Sequence, residues 1–193
     1  PVIPNIPGIA GGIGDGSVLT SREILELQEV PEELVIVGAG VIGLEMAAYF
    51  NIAGSKVTVV EMLEQIGGPI DAELSFALQT HLEKAGIKFI LGSKVVDVSG
   101  KTARIETPSG NQDLPYDKLL LCVGRRPSLH IPGLSDMGLY VERGAVSTDL
   151  HCETNIPNLY AAGDVNGKYM LAHVAYREAE VAINNMTGVP DEM

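Results

Sequence analysis

The stretch Leu34-Val35-Ile36-Val37-Gly38-Ala39-Gly40-Val41-Ile42-Gly43 decides the fold. Four consecutive apolar residues stopped by a glycine read as a strand buried on both faces. Residues 41–53, which follow at once, have helical periodicity. Working outward, Val57–Val60 is a second apolar strand that ends at Glu61. A helix is expected from Asp71, as its cap, to Lys84, with Leu74, Leu78 and Leu82 on one face and Gly86 closing it. Ile87–Leu91 is a third strand. This β-α-β-α-β order predicts a parallel sheet with helices on its faces. Short strands with turns such as Pro108-Ser109-Gly110-Asn111 fill residues 92–117 and predict a β-meander, and Leu119–Val123 returns as a buried strand.

The flanks are less regular. Residues 1–17 are rich in proline and glycine, which predicts a surface lead-in without regular helix or central strand. Thr20-Ser21-Arg22-Glu23 opens a short helix with Ser21 as its cap, ended by Pro31. After Arg125-Arg126-Pro127 comes a looser region with Gly133, Gly138 and Gly144. Leu159–Asp164 then reads as a strand ending in a turn, and residues 172–187 as a last helix stopped by Gly188.

With 193 residues, 46% of them hydrophobic, the chain can bury a substantial core. Its formal net charge of −12 argues against nucleic acid or an anionic membrane as partner, and no apolar run approaches a membrane span. Without a leader signal, a cytoplasmic location is expected. Pro1 at the head of a turn-rich opening reads as a cut end of a longer chain. Cys122 and Cys152 form no local CxxC or CxxxxC pair and read as small buried or half-buried thiols. No metal-ligand set is proposed.

The glycines of the central turn divide the labour. Gly38 allows the tight turn, Gly40 lets backbone approach a pyrophosphate, and Gly43 lets the helix pack close to the strand. Together with Ala39, Val41 and Ile42 they form the start of a helix whose free amides and dipole favour phosphates. Glu61 lies 18 residues beyond Gly43, where a carboxylate accepts both ribose hydroxyls of an adenosine. No Lys or Arg follows among Met62, Leu63 and Glu64 to receive a 2′-phosphate, so NAD is expected over NADP. Glu45, in the first turns of the helix, suits the helix dipole without any further role. The reading is therefore an α/β chain with a Rossmann-type NAD-binding domain, a parallel sheet plus a β-meander.

Four blocks resemble the flavin-dependent pyridine nucleotide-disulfide oxidoreductases. The glycine turn with its strand, through Glu45, is similar to their NAD-binding stretch. Leu121–Pro127 resembles their strand-to-linker return, and Ile156–Val165 their second flavin-binding block. Met170-Leu171-Ala172-His173 with the acid Glu178 resembles the dihydrolipoamide-oxidising branch. The resemblance implies residues 1–30 as a lead-in from a truncated FAD domain, 31–125 as the NAD-binding domain, and 126–193 as a partial second FAD-domain segment. It implies that Glu61 binds the adenosine ribose, that Glu45 lies toward nicotinamide and flavin, and that Val95 and Gly124 line the dinucleotide site. It further implies that Asp164 bonds the flavin ribityl chain and that Met170, Leu171, Ala172 and His173 lie along the isoalloxazine. His173 is not implied as a catalytic base, because the family's base lies in a C-terminal domain absent from this sequence. No catalytic residue is assigned.

The family's first flavin GxGxxG, its CxxxxC redox pair and its dimerisation domain are also absent, and Ala179 stands where the family often has Gly. The sequence thus resembles the central piece of an enzyme that passes electrons from a dithiol through FAD to NAD. The implied partners are a lipoyl-bearing protein of a 2-oxo acid dehydrogenase complex or glycine cleavage system, and a second copy in a homodimer. The piece alone is expected to be inactive, to bind NADH weakly and to hold FAD poorly. Alternatives are a second kind of NADH-dependent flavoprotein disulfide reductase, a flavin-free dehydrogenase or a non-enzymatic NAD-binding module. A Tyr-Lys pair for a flavin-free enzyme is not offered by Tyr116 and Lys118, which lack helical spacing.

Overall fold

The computed structural model describes residues 1–130 and 132–193. The chain forms two compact units, Pro1–Gly124 and Arg125–Met193.

The first unit is built on five parallel strands: β1 (Val18–Thr20), β2 (Glu33–Val37), β3 (Lys56–Val60), β4 (Lys88–Ile90) and β8 (Lys118–Leu121), in the order β1-β8-β2-β3-β4. Helix α2 (Val41–Ala53) crosses from β2 to β3, and α3 (Ala72–Lys84) from β3 to β4. An antiparallel meander, β5 (Lys94–Ser99), β6 (Thr102–Thr107) and β7 (Gly110–Pro115), then carries the chain to β8. The apolar run of β2 splits by its period of two. Leu34 and Ile36 join the core that holds Ala47 and Phe50 of α2 and Leu82 of α3. Val35 and Val37 join the core on the other face, with Ala103 and Ile105 of the meander. Covering both faces is why the strand tolerates no polar residue between Leu34 and Val37.

The lead-in is more ordered than its composition predicts. Residues Ile9–Asp15 form helix α1, and Val18–Thr20 is the edge strand of the main sheet. Packing overrides propensity here. Gly8 lies so close to the meander that a Cβ would sit 1.5 Å from the carbonyl oxygen of Val98, and a Cβ on Gly12 would fall 2.3 Å from Val18. The short helix expected after Thr20 is a 3₁₀ turn, Glu23–Glu26. Ser21 does not cap it; the Glu23 carboxylate instead accepts the Thr20 N–H at 2.9 Å and the Thr20 hydroxyl.

Asp71 caps α3 as expected, its carboxylate accepting the Glu73 N–H at 2.8 Å. The helix is rotated from the expected face, however. Ser75 and Leu82 point inward while Leu74 and Leu78 are exposed. The Ser75 hydroxyl donates to the Ile66 carbonyl at 2.8 Å, so a polar residue takes the inward position that leucine periodicity assigned elsewhere.

In the second unit, a hairpin of β9 (Val141–Glu142) and β10 (Ala145–Val146) precedes helix α4 (Ala172–Met186), which Gly188 follows at φ 81°. The strand expected at Leu159–Asp164 is not formed. Tyr160 makes one isolated bridge to Glu153, and Asp164–Asn166 is a 3₁₀ turn. The Ala161 N–H bonds the Cys152 carbonyl, so the segment pairs locally with its own loop instead of extending a sheet.

Candidate functional site

In the main sheet the chain runs from β2 outward through β3 to β4, then returns to β8 on the other flank of β2. This reversal of direction beside β2 is the place where parallel α/β sheets open a crevice at the carboxyl ends of their strands. A cleft of about 400 Å³ lies there. Gly38 and Gly40 follow β2 into it, Glu61 follows β3, Val95 comes from β5, and Cys122 and Gly124 follow β8. Five residues singled out from the sequence, Gly38, Gly40, Glu61, Val95 and Gly124, therefore meet around one cleft.

The three glycines of the turn are there for different reasons. Gly38 has φ 103°, and a Cβ on it would lie 2.4 Å from the Cys122 carbonyl oxygen. A Cβ on Gly43 would lie 2.1 Å from the Gly38 carbonyl oxygen. The first absence lets the turn pass against the chain leaving β8, and the second lets α2 sit tightly on the turn. Gly40 differs: its φ of −75° suits any residue, and a Cβ would meet nothing within 4 Å. No protein atom requires glycine at this position, so the open space beside it is available to a ligand.

The start of α2 has no side-chain cap. Leu44 N–H is the first α2 amide to reach back, to the Gly40 carbonyl, which leaves the Val41, Ile42 and Gly43 amides without an intrahelical acceptor. Such a cluster of free amides at a positive dipole end suits an oxyanion. Val41 is exposed and Ile42 half-buried on the same turn.

Glu61 has a contact that spacing did not reveal. Its Oε2 accepts the Ala39 N–H at 2.7 Å and its Oε1 accepts the Leu63 N–H at 2.9 Å. The carboxylate thus braces the glycine turn while remaining half-exposed, and an ionised carboxylate has further lone pairs for a hydroxyl donor. Two other wall residues were not read as functional. Lys94 lines the cleft and pairs with Glu106 at 3.2 Å; its only signal was its place beside Val95. Cys122 forms part of the wall, and burial pushes its thiol up to about 12.

Glu45 lies outside the cleft walls, exposed on the second turn of α2. Tyr116 and Lys118 stand at the amino end of β8, opposite the end that carries Cys122 and Gly124. Asp164, Met170, Leu171, Ala172 and His173 belong to the second unit, where all five are exposed. Glu178 is buried, 1% exposed, and its carboxylate accepts the Gly163 N–H at 2.6 Å, fastening α4 to the backbone immediately before Asp164.

The sequence matches the profile of the pyridine nucleotide-disulphide oxidoreductase family over residues 1–179. The chain belongs to this family. Among curated relatives, dihydrolipoyl dehydrogenase of Acholeplasma laidlawii is 38% identical over 185 residues, covering 96% of this chain and 54% of its own length. The dihydrolipoyl dehydrogenase of Chlorobaculum tepidum is 41% identical, covering 97% of this chain and 40% of its own length. The human mitochondrial dihydrolipoyl dehydrogenase is 39% identical, covering 94% and 37%. The chain thus spans about half or less of the length of these relatives. Solved structures agree. A Cu(II) complex of the HOCl-induced flavoprotein disulfide reductase RclA from Escherichia coli superposes with a TM-score of 0.87 at 27% identity, over 100% of this chain and 44% of that one. Reduced Bacillus anthracis CoADR-RHD superposes with a TM-score of 0.85 at 26% identity, over 100% and 37%. The family's α/β architecture and the resemblance to dihydrolipoyl dehydrogenase are both borne out. Among the described residues, no helix is long and apolar enough to cross a membrane.

Proposed function

We propose that the cleft at the end of β2 binds NAD(H), as part of a longer dihydrolipoyl dehydrogenase. The observation that carries this is Gly40, whose missing side chain leaves space that no protein atom fills, beside free helix amides and in the same cleft as Glu61. In this reading the diphosphate rests on the Val41, Ile42 and Gly43 amides. Glu61 receives the adenosine ribose hydroxyls, and Val95 and Gly124 line the remaining wall. A 2′-phosphate beside the Glu61 carboxylate is repelled, so NADH is the preferred form. Glu45 lies toward the nicotinamide.

In the longer enzyme, Asp164 holds the flavin ribityl chain, and Met170, Leu171, Ala172 and His173 lie along the ring. The bound flavin and nicotinamide supply the hydride chemistry, and the residues named here bind and orient them. The electron donor is a dihydrolipoyl group on a protein of a 2-oxo acid dehydrogenase complex or glycine cleavage system, and the enzyme works as a homodimer in the cytoplasm. The present piece lacks the family's redox thiols and is inactive alone.

Titrating the purified chain with NADH and NADPH, followed by nicotinamide fluorescence, tests the reading. Weak saturable binding of NADH, at least tenfold tighter than NADPH and lost in Gly40→Val, is expected. Equal affinity for both, or binding indifferent to Gly40→Val, overturns it. The chain as purified is expected to show no stoichiometric flavin absorbance.

A further inference from the structure

We propose that the second unit carries a separate site for a phosphate group. The sequence from 125 to 193 contains five Lys and Arg side chains against nine Asp and Glu. Four of those five cations, Arg125, Arg126, Arg143 and Lys168, line one cleft of about 610 Å³. Glu142 is the single carboxylate among its walls. In a chain of net charge −12, this concentration of like charge works against itself unless an anion answers it.

No carboxylate among the described residues neutralises these four cations. Among the described residues none of the three guanidiniums pairs with a carboxylate, whereas Arg177, the fifth cation, is held by Asp191. The Lys168 ammonium donates to a neutral acceptor, the Asp149 carbonyl, at 2.8 Å. Arg143 stands at the two-residue turn between β9 and β10 with φ 51°, a left-handed conformation that favours glycine or asparagine. A long cationic side chain is therefore kept where the backbone disfavours it.

A second observation points to a ligand independently of charge. Thr148 lines the same cleft, and its Oγ1 is the one buried side-chain polar atom without a hydrogen-bond partner among the described residues. A buried hydroxyl with its proton unused is costly, and turned into the cleft that Thr148 lines it would donate that proton to a phosphate oxygen there. Guanidiniums that bind phosphate in a fork, an ammonium and one hydroxyl donor form a chemically coherent phosphate cradle. Asp164, Leu171, Ala172 and His173 are not among its walls; the cleft adjoins the proposed flavin surface at Met170, and its cationic walls lie outside that surface.

Titrating ¹⁵N-labelled chain with pyrophosphate, inorganic phosphate, ADP and adenosine distinguishes this site from the glycine turn, whose amides report separately. Saturable shifts at Gly144, Thr148 and Gly167 are expected with pyrophosphate, and none with adenosine. ADP binding tighter than pyrophosphate identifies a nucleotide phosphate as the ligand; equal affinity identifies the free anion. Arg126→Glu combined with Arg143→Glu should weaken the response at least tenfold while leaving the shifts at Gly40–Gly43 intact. Thr148→Val should weaken it about three- to tenfold, and Thr148→Ser should restore it. Absence of saturable shifts, or shifts that survive the double charge reversal in a folded protein, overturns the proposal.

Discussion

The Glu61 carboxylate and the Ala39 amide are joined by a 2.7 Å hydrogen bond that ties the end of β3 to the glycine turn after β2. A residue proposed to read a ribose therefore also shapes the turn proposed to receive the diphosphate. Removing it damages both. Glu61→Ala is expected to weaken NADH binding by about 10- to 100-fold, the range of one charge-assisted hydrogen bond at roughly 1.5–3 kcal/mol. Glu61→Gln separates the effects in part, because its amide oxygen can still accept from Ala39 while the carboxylate charge and the acceptor for the Leu63 N–H are gone. The glutamine variant should lose part of the NADH affinity and most of the preference over NADPH, measured by parallel fluorescence titrations. A glutamine variant with unchanged preference would assign the discrimination to another residue.

The glycines permit a cleaner dissociation of fold from binding. Gly43→Ala places a Cβ 2.1 Å from the Gly38 carbonyl oxygen, in a core with nowhere to yield. It should destabilise the chain by about 1–3 kcal/mol, as overpacking does. Gly40→Ala meets no protein atom at an ordinary φ of −75°. Its urea midpoint should match the parent within about 0.5 kcal/mol, as at unconstrained sites, while NADH affinity falls at least tenfold. Urea unfolding and NADH titration of the two variants should therefore give opposite orders of severity.

How much of this was legible in the sequence depends on how local each cause is. The run Leu34–Val37 and the turn after it predict the parallel sheet correctly, because burial on both faces and a tight strand–helix turn write directly into residue type. The meander is equally readable from its turns. Helix α1 is not, since a segment containing Gly11, Gly12 and Gly14 has little helical propensity and owes its form to contacts with Val98 and Val18, distant or across a turn. The face of α3 misled for a related reason: Leu74 and Leu78 keep the helical spacing, but Ser75 wins the inward position by bonding Ile66. In the cleft, Gly38, Gly40 and Glu61 carried motif signals, whereas Val95 and Gly124 were reached through family resemblance. The brace from Glu61 to Ala39 spans 22 residues and depends on strand register, which no local pattern encodes.

Glu178 offers a test in the second unit. The carboxylate is 1% exposed and bonded to the Gly163 N–H at 2.6 Å, where Gly163 adopts φ 82° and ψ −158°. It fixes the backbone ahead of Asp164 and does not face solvent. Glu178→Ala leaves that amide without its acceptor and is expected to cost about 1–3 kcal/mol. Hydrogen exchange at Gly163 should accelerate in parallel, and NADH binding by the first unit should remain as in the parent. An alanine variant with parental exchange at Gly163 would contradict the structural role.

The C-terminal segment is held by charge, which makes its anchoring depend on pH in a stated direction. Arg177 and Asn184 donate to the Asp191 carboxylate and lower its pKa from the usual value to about 2. Because folding depresses this pKa, the contribution is complete above the unfolded value near 4 and fades as pH falls toward 2. On the other side of the same residue, the Asp191 carbonyl contacts His151 Nδ1 at 2.7 Å and raises the imidazole pKa. A raised pKa contributes fully below the unfolded value near 6.5 and is lost as pH rises through the folded one. The anchoring of Asp191–Met193 should therefore be strongest between about pH 4 and 6 and weaken in both directions, by these two separate causes. Limited carboxypeptidase digestion cannot be run across that range, so amide exchange at Glu192 and Met193, corrected for intrinsic rates, is the suitable measurement. Asp191→Asn should remove the loss at low pH and His151→Gln the loss at high pH. A variant in which either limb persists unchanged would assign that limb to another titrating group.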